Sequence, residues 1–266
     1  MVQVNSFKRD MDKNSHWLND GEFGWRGIIG LITPSVALTP EHEWGRMMPK
    51  GLAFVTTRIL LERVTVEGLD QMGRYIEDAI KMMKSASVDV ICYGCTSGSM
   101  SKGIKYDEEL IQRIEKSTSK PATTMAKSVI KALQHSNVQR VGVVTPYPDE
   151  VNLTVRKFLE DNGFDVLAID GLQITDPIEI RKLPPSIAYR LGKSMNSRVP
   201  DCDGIFLSCG NLRTIEILSS LEHDIAKPVI SSNQALFWDA LNVLGVNTRI
   251  YGYGSLLERS QREPES

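Results

Sequence analysis

The residues best suited to chemistry lie in the stretch V-D-V-I-C-Y-G-C-T-S-G-S-M, residues 88–100. It holds Cys92 and Cys95 in a C-x-x-C spacing, followed at once by small hydroxyl residues and glycine. Such a run is compatible with a dithiol redox pair, a zinc knuckle, or one thiol placed for acid/base chemistry. A redox pair needs both thiols at a helix N-terminus, whereas Cys92 lies within an apolar strand pattern, which disfavours that interpretation.

The other two cysteines, Cys202 and Cys209, weigh against a zinc site. They are seven positions apart and no histidine lies nearby, whereas a structural zinc site needs four ligands at knuckle spacing. No metal site is therefore predicted. Cys92 and Cys202 are expected to be small buried residues, as free cysteines usually are. Cys95 and Cys209 are the candidates for chemistry.

An internal repeat relates the positions of Cys95 and Cys209. Three pairs of segments recur in the same order at nearly the same spacing: G-I-I-G-L-I-T-P (27–34) with R-V-G-V-V-T-P (140–146), D-V-I-C-Y-G-C-T (89–96) with D-G-I-F-L-S-C-G (203–210), and K-P-A-T-T (120–124) with K-P-V-I-S-S (227–232). This period indicates two similar halves, which we expect to be related by a pseudo-twofold axis. Each cysteine then follows a strand of its own half.

Short β-branched apolar runs alternate with amphipathic stretches from residue 27 onward, which is typical of a parallel sheet covered by helices. The sequence predicts strands at 27–32, 88–93, 140–144, 204–207 and 228–230. Apolar residues recurring on one helical face predict helices at 71–86 and 149–162. The predicted fold class is α/β, with the site at the carboxyl ends of the strands, where ligands of open α/β sheets bind.

The predicted organisation has four parts: an N-terminal arm (1–26), a first α/β half (27–136) completed by residues 236–257, a second half (137–235), and a C-terminal tail (258–266). The arm and the tail have a polar composition and few structural signals. If the two halves face each other, their cysteine sulfurs approach one cleft from opposite sides.

Two thiols flanking a cleft suit cofactor-independent proton transfer. One thiolate removes a proton next to a carboxylate, or attacks a conjugated double bond, while the other thiol delivers a proton to the opposite face. The enediolate-like intermediate requires hydrogen-bond donors aimed at it in a site shielded from water. The predicted donors follow each cysteine directly: Thr96 and Ser97 after the first, Gly210 and Asn211 after the second. No cofactor is predicted.

Several further polar residues have two interpretations each. Tyr147 ends a strand of the second half at the position that Ser35 occupies in the first, and it is either a substrate ligand or a boundary residue. Arg58 is a charge in an apolar run, so it either binds a carboxylate or points to solvent from an edge strand. Ser231, Ser232 and Asn233 are expected to cap the last helix.

The whole-chain composition limits the classes of partner. The 266 residues carry a formal net charge of -2 without long like-charge blocks, so neither nucleic acid nor an anionic membrane is an expected partner. The sequence shows no signal-peptide pattern and no apolar run of about 18 residues, which predicts a cytoplasmic protein with free thiols. Self-association into a homo-oligomer is compatible with the sequence.

Five segments resemble the aspartate/glutamate racemase superfamily, in the branch with maleate cis-trans isomerases, arylmalonate decarboxylases and ectoine-utilisation racemase-like proteins. They are I-T-P-S, I-C-Y-G-C-T-S, T-P-Y-P-D-E-V-N, L-S-C-G-N and V-I-S-S-N-Q-A, within residues 27–257. The resemblance implies two Rossmann-like halves with the active site between them. It implies catalytic roles for Cys95 and Cys209, because isomerases and racemases of the family use one cysteine from each half, whereas decarboxylases keep only the second.

The resemblance also implies that a small substrate carboxylate is held by a set of residues around the cysteines. These residues are Thr96, Ser97, Tyr147 and Gly210, with Pro34 and Ser35 on the same rim. The chain departs from maleate isomerases at Val36–Ala37, where those enzymes carry an asparagine after the Pro-Ser pair, and a second asparagine expected near residues 174–177 is also missing. Maleate itself is therefore disfavoured as substrate.

Three hypotheses follow. The first is a cofactor-independent racemase or isomerase of a small carboxylate or amino-acid derivative that uses both cysteines. The second is an arylmalonate-type decarboxylase with Cys209 as the sole proton donor. The third is a carboxylate-binding protein without catalysis.

Overall fold

The computed structural model describes residues 23–259, which form two parallel four-stranded sheets. The strands of the first sheet are β1 (Gly27–Pro34), β2 (Leu52–Ile59), β3 (Val90–Tyr93) and β4 (Ala122–Thr124). The strands of the second sheet are β5 (Arg140–Thr145), β6 (Asp165–Gly171), β7 (Gly204–Leu207) and β8 (Val229–Ser231). The first sheet has the order β2-β1-β3-β4 and the second the order β6-β5-β7-β8.

Helices connect these strands, as parallel pairing requires a crossover between neighbours. Those of the first half are α1 (Thr39–Met47), α2 (Val66–Met72), α3 (Ile76–Ser85), α4 (Thr96–Met100), α5 (Ile104–Thr118) and α6 (Met125–His135). Those that follow are α7 (Asp149–Asp161), α8 (Pro177–Lys182), α9 (Pro185–Arg198), α10 (Leu218–Ile225), α11 (Ser232–Val243) and α12 (Ser255–Glu258).

The two sheets have the same strand order, so the internal repeat of the sequence corresponds to a repeat of structure. β1 and β5 occupy the same position in their sheets, as do β3 and β7, and β4 and β8. This confirms the predicted α/β class with two parallel-sheet halves. The turns after β3 and β7 carry Cys95 and Cys209, so the repeat places both cysteines at carboxyl ends of equivalent strands.

The predicted helices are present with one difference. α7 spans Asp149–Asp161, and Gly163 with φ +87° follows it, as expected of a C-terminal stop. The amphipathic stretch at 71–86 is not one helix, because a 3₁₀ turn at Gly73–Tyr75 separates α2 from α3. The apolar periodicity continues through this turn because Met72, Ile76 and Ile80 are all buried on the same side.

The sequence analysis did not predict three of the strands. β2 and β6 are edge strands with several partly exposed side chains, so neither forms the continuous apolar run of a central parallel strand. β4 has only three residues, Ala122–Thr124. The predicted N-terminal arm (1–26) and C-terminal tail (258–266) fall mostly outside the described residues.

α11 lies in the middle of the molecule and packs against α6, α1, β3, β4 and β8. Its first ten residues, from Ser232 to Leu241, are all buried. Asp239 is 1% exposed and is fully engaged: its carboxylate accepts from Thr123 Oγ1 (2.6 Å) and Ser128 Oγ (3.0 Å) and pairs with Lys131 Nζ (2.7 Å). These contacts tie the C-terminal part of α11 to β4 and α6 of the first half.

Within residues 23–259, the helices are too short or too polar to cross a lipid bilayer.

Candidate active site

A cavity of about 380 Å³, including its opening to solvent, lies between the two halves. The loops that follow β1, β3, β5 and β7 form it, together with the loop after β2 and helix α8. Its lining residues are Pro34, Val36, Ala37, Leu61, Val64, Gly94, Cys95, Thr96, Ser97, Tyr147, Pro177, Ile180, Cys209, Gly210 and Asn211.

Cys95 is the N-cap residue of α4 and has ordinary extended backbone, with φ -138°. Gly98 makes room for its sulfur, because a Cβ at Gly98 would lie 3.0 Å from Cys95 Sγ and 2.6 Å from Met72 Cε. Burial raises the pKa of the Cys95 thiol to about 12, although the Gly98 N–H and the Ser97 hydroxyl oppose the rise. The charge of Cys209 adds to it, as expected for two sulfurs that share a cavity.

Cys209 has φ +144°, a backbone conformation that favours glycine. Its N–H donates to Ser232 Oγ (3.0 Å), and its Sγ accepts from the Asn211 N–H (3.3 Å). Burial raises the pKa of the Cys209 thiol, while the Tyr147 hydroxyl and the Asn211 N–H lower it. Strain of this kind persists where the surrounding structure holds a residue in place, and it is typical of functional sites.

The strain makes a prediction that separates the two cysteines. At Cys209, glycine is expected to give a protein about 1 kcal/mol more stable than alanine, because glycine adopts positive φ without cost. At Cys95 the order reverses, since extended backbone gives alanine the advantage there. Urea unfolding of the four single variants measures both differences. Alanine more stable than glycine at both positions would show that Cys209 is not strained.

One hydroxyl group joins the two cysteine turns. Thr96 Oγ1 donates to Ser232 Oγ (2.9 Å), which also accepts from the Cys209 N–H. Thr96 belongs to the first half and follows Cys95 directly. The Ser232 hydroxyl therefore links the turn that carries Cys95 to the turn that carries Cys209. Ser232 therefore contacts the Cys209 turn, in addition to starting α11.

Eight of the ten predicted site residues line the cavity. They are Pro34, Cys95, Thr96, Ser97, Tyr147, Cys209, Gly210 and Asn211. The Asn211 side chain connects neighbouring loops: its amide NH₂ group donates to the Pro177 carbonyl (2.8 Å), and its amide oxygen accepts from the Leu38 N–H (3.3 Å). Only the backbone of Asn211 faces the Cys209 sulfur. The Tyr147 hydroxyl interacts with the same sulfur.

The other two predicted residues, Ser35 and Arg58, do not line the cavity. Arg58 donates to the carbonyls of Ser35 (3.0 Å) and Ala37 (2.7 Å) and pairs with Glu41, so its guanidinium holds the loop after β1. Ser35 Oγ accepts from the Leu61 N–H (3.2 Å). These contacts connect the loop after β1 with β2 and the segment that follows it.

An apolar wall covers one side of the cavity, and the sequence did not predict it as part of the site. Six residues form it: Val36, Ala37, Leu61, Val64, Pro177 and Ile180. Hydrogen bonds between the halves hold it, from the Val64 N–H to Thr175 O (2.9 Å) and from Arg181 Nη1 to Val36 O (3.2 Å). Residues from both halves therefore surround the cavity.

Among residues 23–259 all four cysteines are free thiols, and no cluster of three or more His, Cys, Asp or Glu side chains has the arrangement of a metal site. Cys92 is 0% exposed within β3 and Cys202 is 3% exposed, and neither lines the cavity.

Comparison with known proteins places this site in a family. The profile of the arylmalonate decarboxylase family matches residues 29–257. The chain belongs to the arylmalonate decarboxylase family. Arylmalonate decarboxylase of Bordetella bronchiseptica is 30% identical over 233 residues, which are 87% of this chain and 97% of that protein. A maleate isomerase of Pseudomonas putida is 25% identical over 242 residues, covering 86% and 96% of the two chains.

Solved structures of this family have the same fold. A cysteine double mutant of arylmalonate decarboxylase in its liganded form matches with a TM-score of 0.83 at 30% identity, covering 87% of this chain and 99% of that one. Maleate isomerase from Pseudomonas putida S16 with maleate matches with a TM-score of 0.84 at 26% identity, covering 89% and 99%. These matches confirm the resemblance inferred from the five segments. The family relatives are enzymes of two kinds, isomerases and decarboxylases.

Proposed function

We propose that this protein is a cofactor-independent racemase of a small carboxylate whose α-carbon carries an apolar group. Cys95 and Cys209 transfer protons on opposite faces of that carbon. The observation that supports this proposal most is that thiols from equivalent turns of the two halves line one small cavity. Membership of a family of isomerases and decarboxylases agrees with it.

The substrate carboxylate binds to donors next to the two sulfurs. The Ser97 and Tyr147 hydroxyls line the cavity, and so does the Gly210 backbone. The first N–H groups of α4 have no acceptor within the helix, as at any helix start, and the residues that carry two of them, Thr96 and Ser97, line the cavity. These groups stabilise the substrate carboxylate, and they stabilise its enediolate form more as negative charge grows on the oxygens.

The reaction is a proton exchange between carbon and two sulfurs. A thiolate takes the α-proton, so an S–H bond forms, the C–H bond breaks, and the electron pair moves into the carboxylate to give an enediolate. The opposite thiol then donates its proton to the other face of the carbon and becomes the thiolate. Atoms and charge balance, and the next turnover runs in the reverse direction.

Burial raises the pKa of both thiols, to about 12 at Cys95, and hydrogen-bond donors oppose the rise at each. Cys209 has three such donors, the Tyr147 hydroxyl and the N–H groups of Asn211 and Leu212, whereas Cys95 has two. We assign Cys209 as the starting base and Cys95 as the starting acid, because these donors stabilise a thiolate at Cys209.

The apolar wall defines the other end of the substrate. A dicarboxylate such as maleate needs donors for its second carboxylate, and burying an unpaired carboxylate is costly. Val36, Ala37 and Ile180 offer no side-chain donors. An aryl or alkyl group fits this wall, and its burial contributes about 25 cal/mol per Å² of apolar surface.

Decarboxylation is the second candidate, favoured by the 30% identity with an arylmalonate decarboxylase. In this reaction carbon dioxide leaves first and Cys209 protonates the resulting enediolate. The cavity and its apolar wall suit this chemistry too, but it leaves Cys95 without a role.

The test is ¹H NMR of the enzyme in heavy water with four probes: 2-phenylpropionate, phenylmalonate, methylphenylmalonate and maleate. A racemase exchanges the α-proton of 2-phenylpropionate and racemises it. Carbon dioxide release from the malonates without exchange in 2-phenylpropionate selects the decarboxylase. Ligand-induced thermal stabilisation without turnover of any probe contradicts both and indicates a binding protein.

A further inference from the structure

Glu43 is a buried carboxyl group of α1 that the proposed reaction does not use. It is 0% exposed, and the groups that donate hydrogen bonds to it all belong to the second half of the chain or to α11. Oε1 accepts from the N–H groups of Thr214 (2.7 Å) and Ile215 (3.2 Å), and Oε2 accepts from Asn233 Nδ2 (2.6 Å). A buried carboxylate needs such donors, since burying it without partners is costly.

Asn233 connects Glu43 to the Cys209 turn. Its Nδ2 group donates to Glu43 Oε2 and also to the Gly210 carbonyl (2.9 Å). Both partners are acceptors, which fixes the orientation of the amide group. Glu43, a residue of the first half, therefore holds the Gly210 carbonyl in place through Asn233.

The peptide between Gly210 and Asn211 transmits this contact to the sulfur. A trans peptide is planar, so its C=O and N–H groups point in opposite directions. The C=O group of this peptide accepts from Asn233, and its N–H group donates to Cys209 Sγ (3.3 Å). Holding the carbonyl thus holds the donor that stabilises a thiolate at Cys209.

We propose that Glu43 is a positioning residue: through Asn233 it orients the Gly210–Asn211 peptide so that its N–H donates to the Cys209 sulfur. The catalytic turn of the second half is in this way completed by a side chain of the first. The consequence for turnover rests on the proposed function, whereas the effect on the sulfur does not.

Charge alone predicts the opposite effect. The negative charge of Glu43 raises the pKa of Cys209, so its removal by itself would make the thiol more acidic. The Asn211 N–H lowers that pKa and has the larger influence of the two, so losing it outweighs losing the charge. The direction of the change in Glu43→Gln therefore distinguishes positioning from charge.

The experiment measures alkylation of Cys209 by iodoacetamide at pH 8 in a Cys95→Ala background, with peptide mass spectrometry to quantify each cysteine. Glu43 is ionised at this pH, because burial raises its pKa only to about 7. Glu43→Gln is expected to slow alkylation of Cys209 several-fold, because less thiolate is present. An unchanged or faster rate overturns the proposal.

Asn233→Ala tests the same connection independently. It is expected to slow Cys209 alkylation to a similar extent, and the double variant is expected to be no slower than the slower single variant, because both residues act through one peptide. Effects of the two substitutions that multiply contradict the relay. Asn233→Ala also decides the question if Glu43→Gln does not fold.

Asp239→Asn is the matched control, since Asp239 is another buried carboxylate, hydrogen-bonded to Thr123 and Ser128 and paired with Lys131. It is expected to lower the melting temperature without changing the Cys209 rate. Cys92 is the internal reference, because general loosening of the fold exposes this buried thiol as well. Slowing confined to Cys209 supports the relay even if no substrate of the enzyme is found.

Discussion

Replacement of Cys95 by alanine is expected to lower the racemisation rate by about 10³-fold, within the 10²–10⁴-fold range of a positioned acid or base. Cys209→Ala is expected to have at least as large an effect. The reason is that each thiol serves one face of the α-carbon, and neither can reach the other face across the cavity. Initial rates of racemisation of a single enantiomer, followed by chiral chromatography, measure the loss.

The control for this result is Cys92→Ala, which removes a thiol from the core of β3 rather than from the cavity. It is expected to keep the full rate per folded molecule. The two cysteine variants also separate the candidate activities. The two-cysteine account is contradicted if carbon dioxide release persists in Cys95→Ala and disappears in Cys209→Ala. In that case neither the variants nor the unmodified protein would show racemisation.

The pH dependence of the rate is the second large effect. Racemisation needs one thiol as thiolate, and burial raises the pKa values of Cys95, to about 12, and of Cys209. The thiolate is therefore a minor species at pH 7, and its share grows about tenfold with each pH unit. From pH 6.5 to 8.5 kcat/KM for racemisation is expected to rise about 100-fold.

Decarboxylation has a different pH dependence over the same interval. It uses the protonated thiol of Cys209, which already predominates below its raised pKa. A decarboxylase of this kind therefore has a flat profile between pH 6.5 and 8.5 and loses activity only as the thiol ionises. A flat or falling racemisation profile would contradict a thiolate base.

Much of the fold follows from the sequence because an internal repeat encodes two similar halves. The central strands β1, β3, β5 and β7 are apolar runs buried on both faces, and their echoes in the two halves predict equivalent sheets. The edge strands β2 and β6 were not predicted, because exposure on one side replaces apolar residues by polar ones.

The cavity residues that the sequence predicted follow strand ends, whereas the residues it missed meet only through packing between distant segments. Cys95 follows a strand of the first sheet, and Cys209 and Tyr147 follow strands of the second, so all three lie at carboxyl ends of parallel strands. Val64 and Ile180 are ordinary apolar residues in sequence, and only the contact between their loops makes them a wall.

Arg58 and Glu43 show the limit for charged residues. Arg58 is a charge among apolar residues and was a candidate ligand for a substrate carboxylate. Its guanidinium instead binds nearby carbonyls and Glu41. Glu43 lies in a polar segment, and nothing local distinguishes it from its neighbours. Its donors lie about 170 residues or more further along the chain, so only the folded structure identifies it.

Deuterium exchange of separate enantiomers in the single-cysteine variants tests the central claim most directly. With Cys95→Ala only Cys209 remains, so one enantiomer exchanges its α-proton with retention of configuration; with Cys209→Ala the opposite enantiomer exchanges, and neither variant racemises. This reciprocal pattern is the result that two thiols on opposite faces predict. Exchange of the same enantiomer in both variants, or racemisation by either, would contradict it.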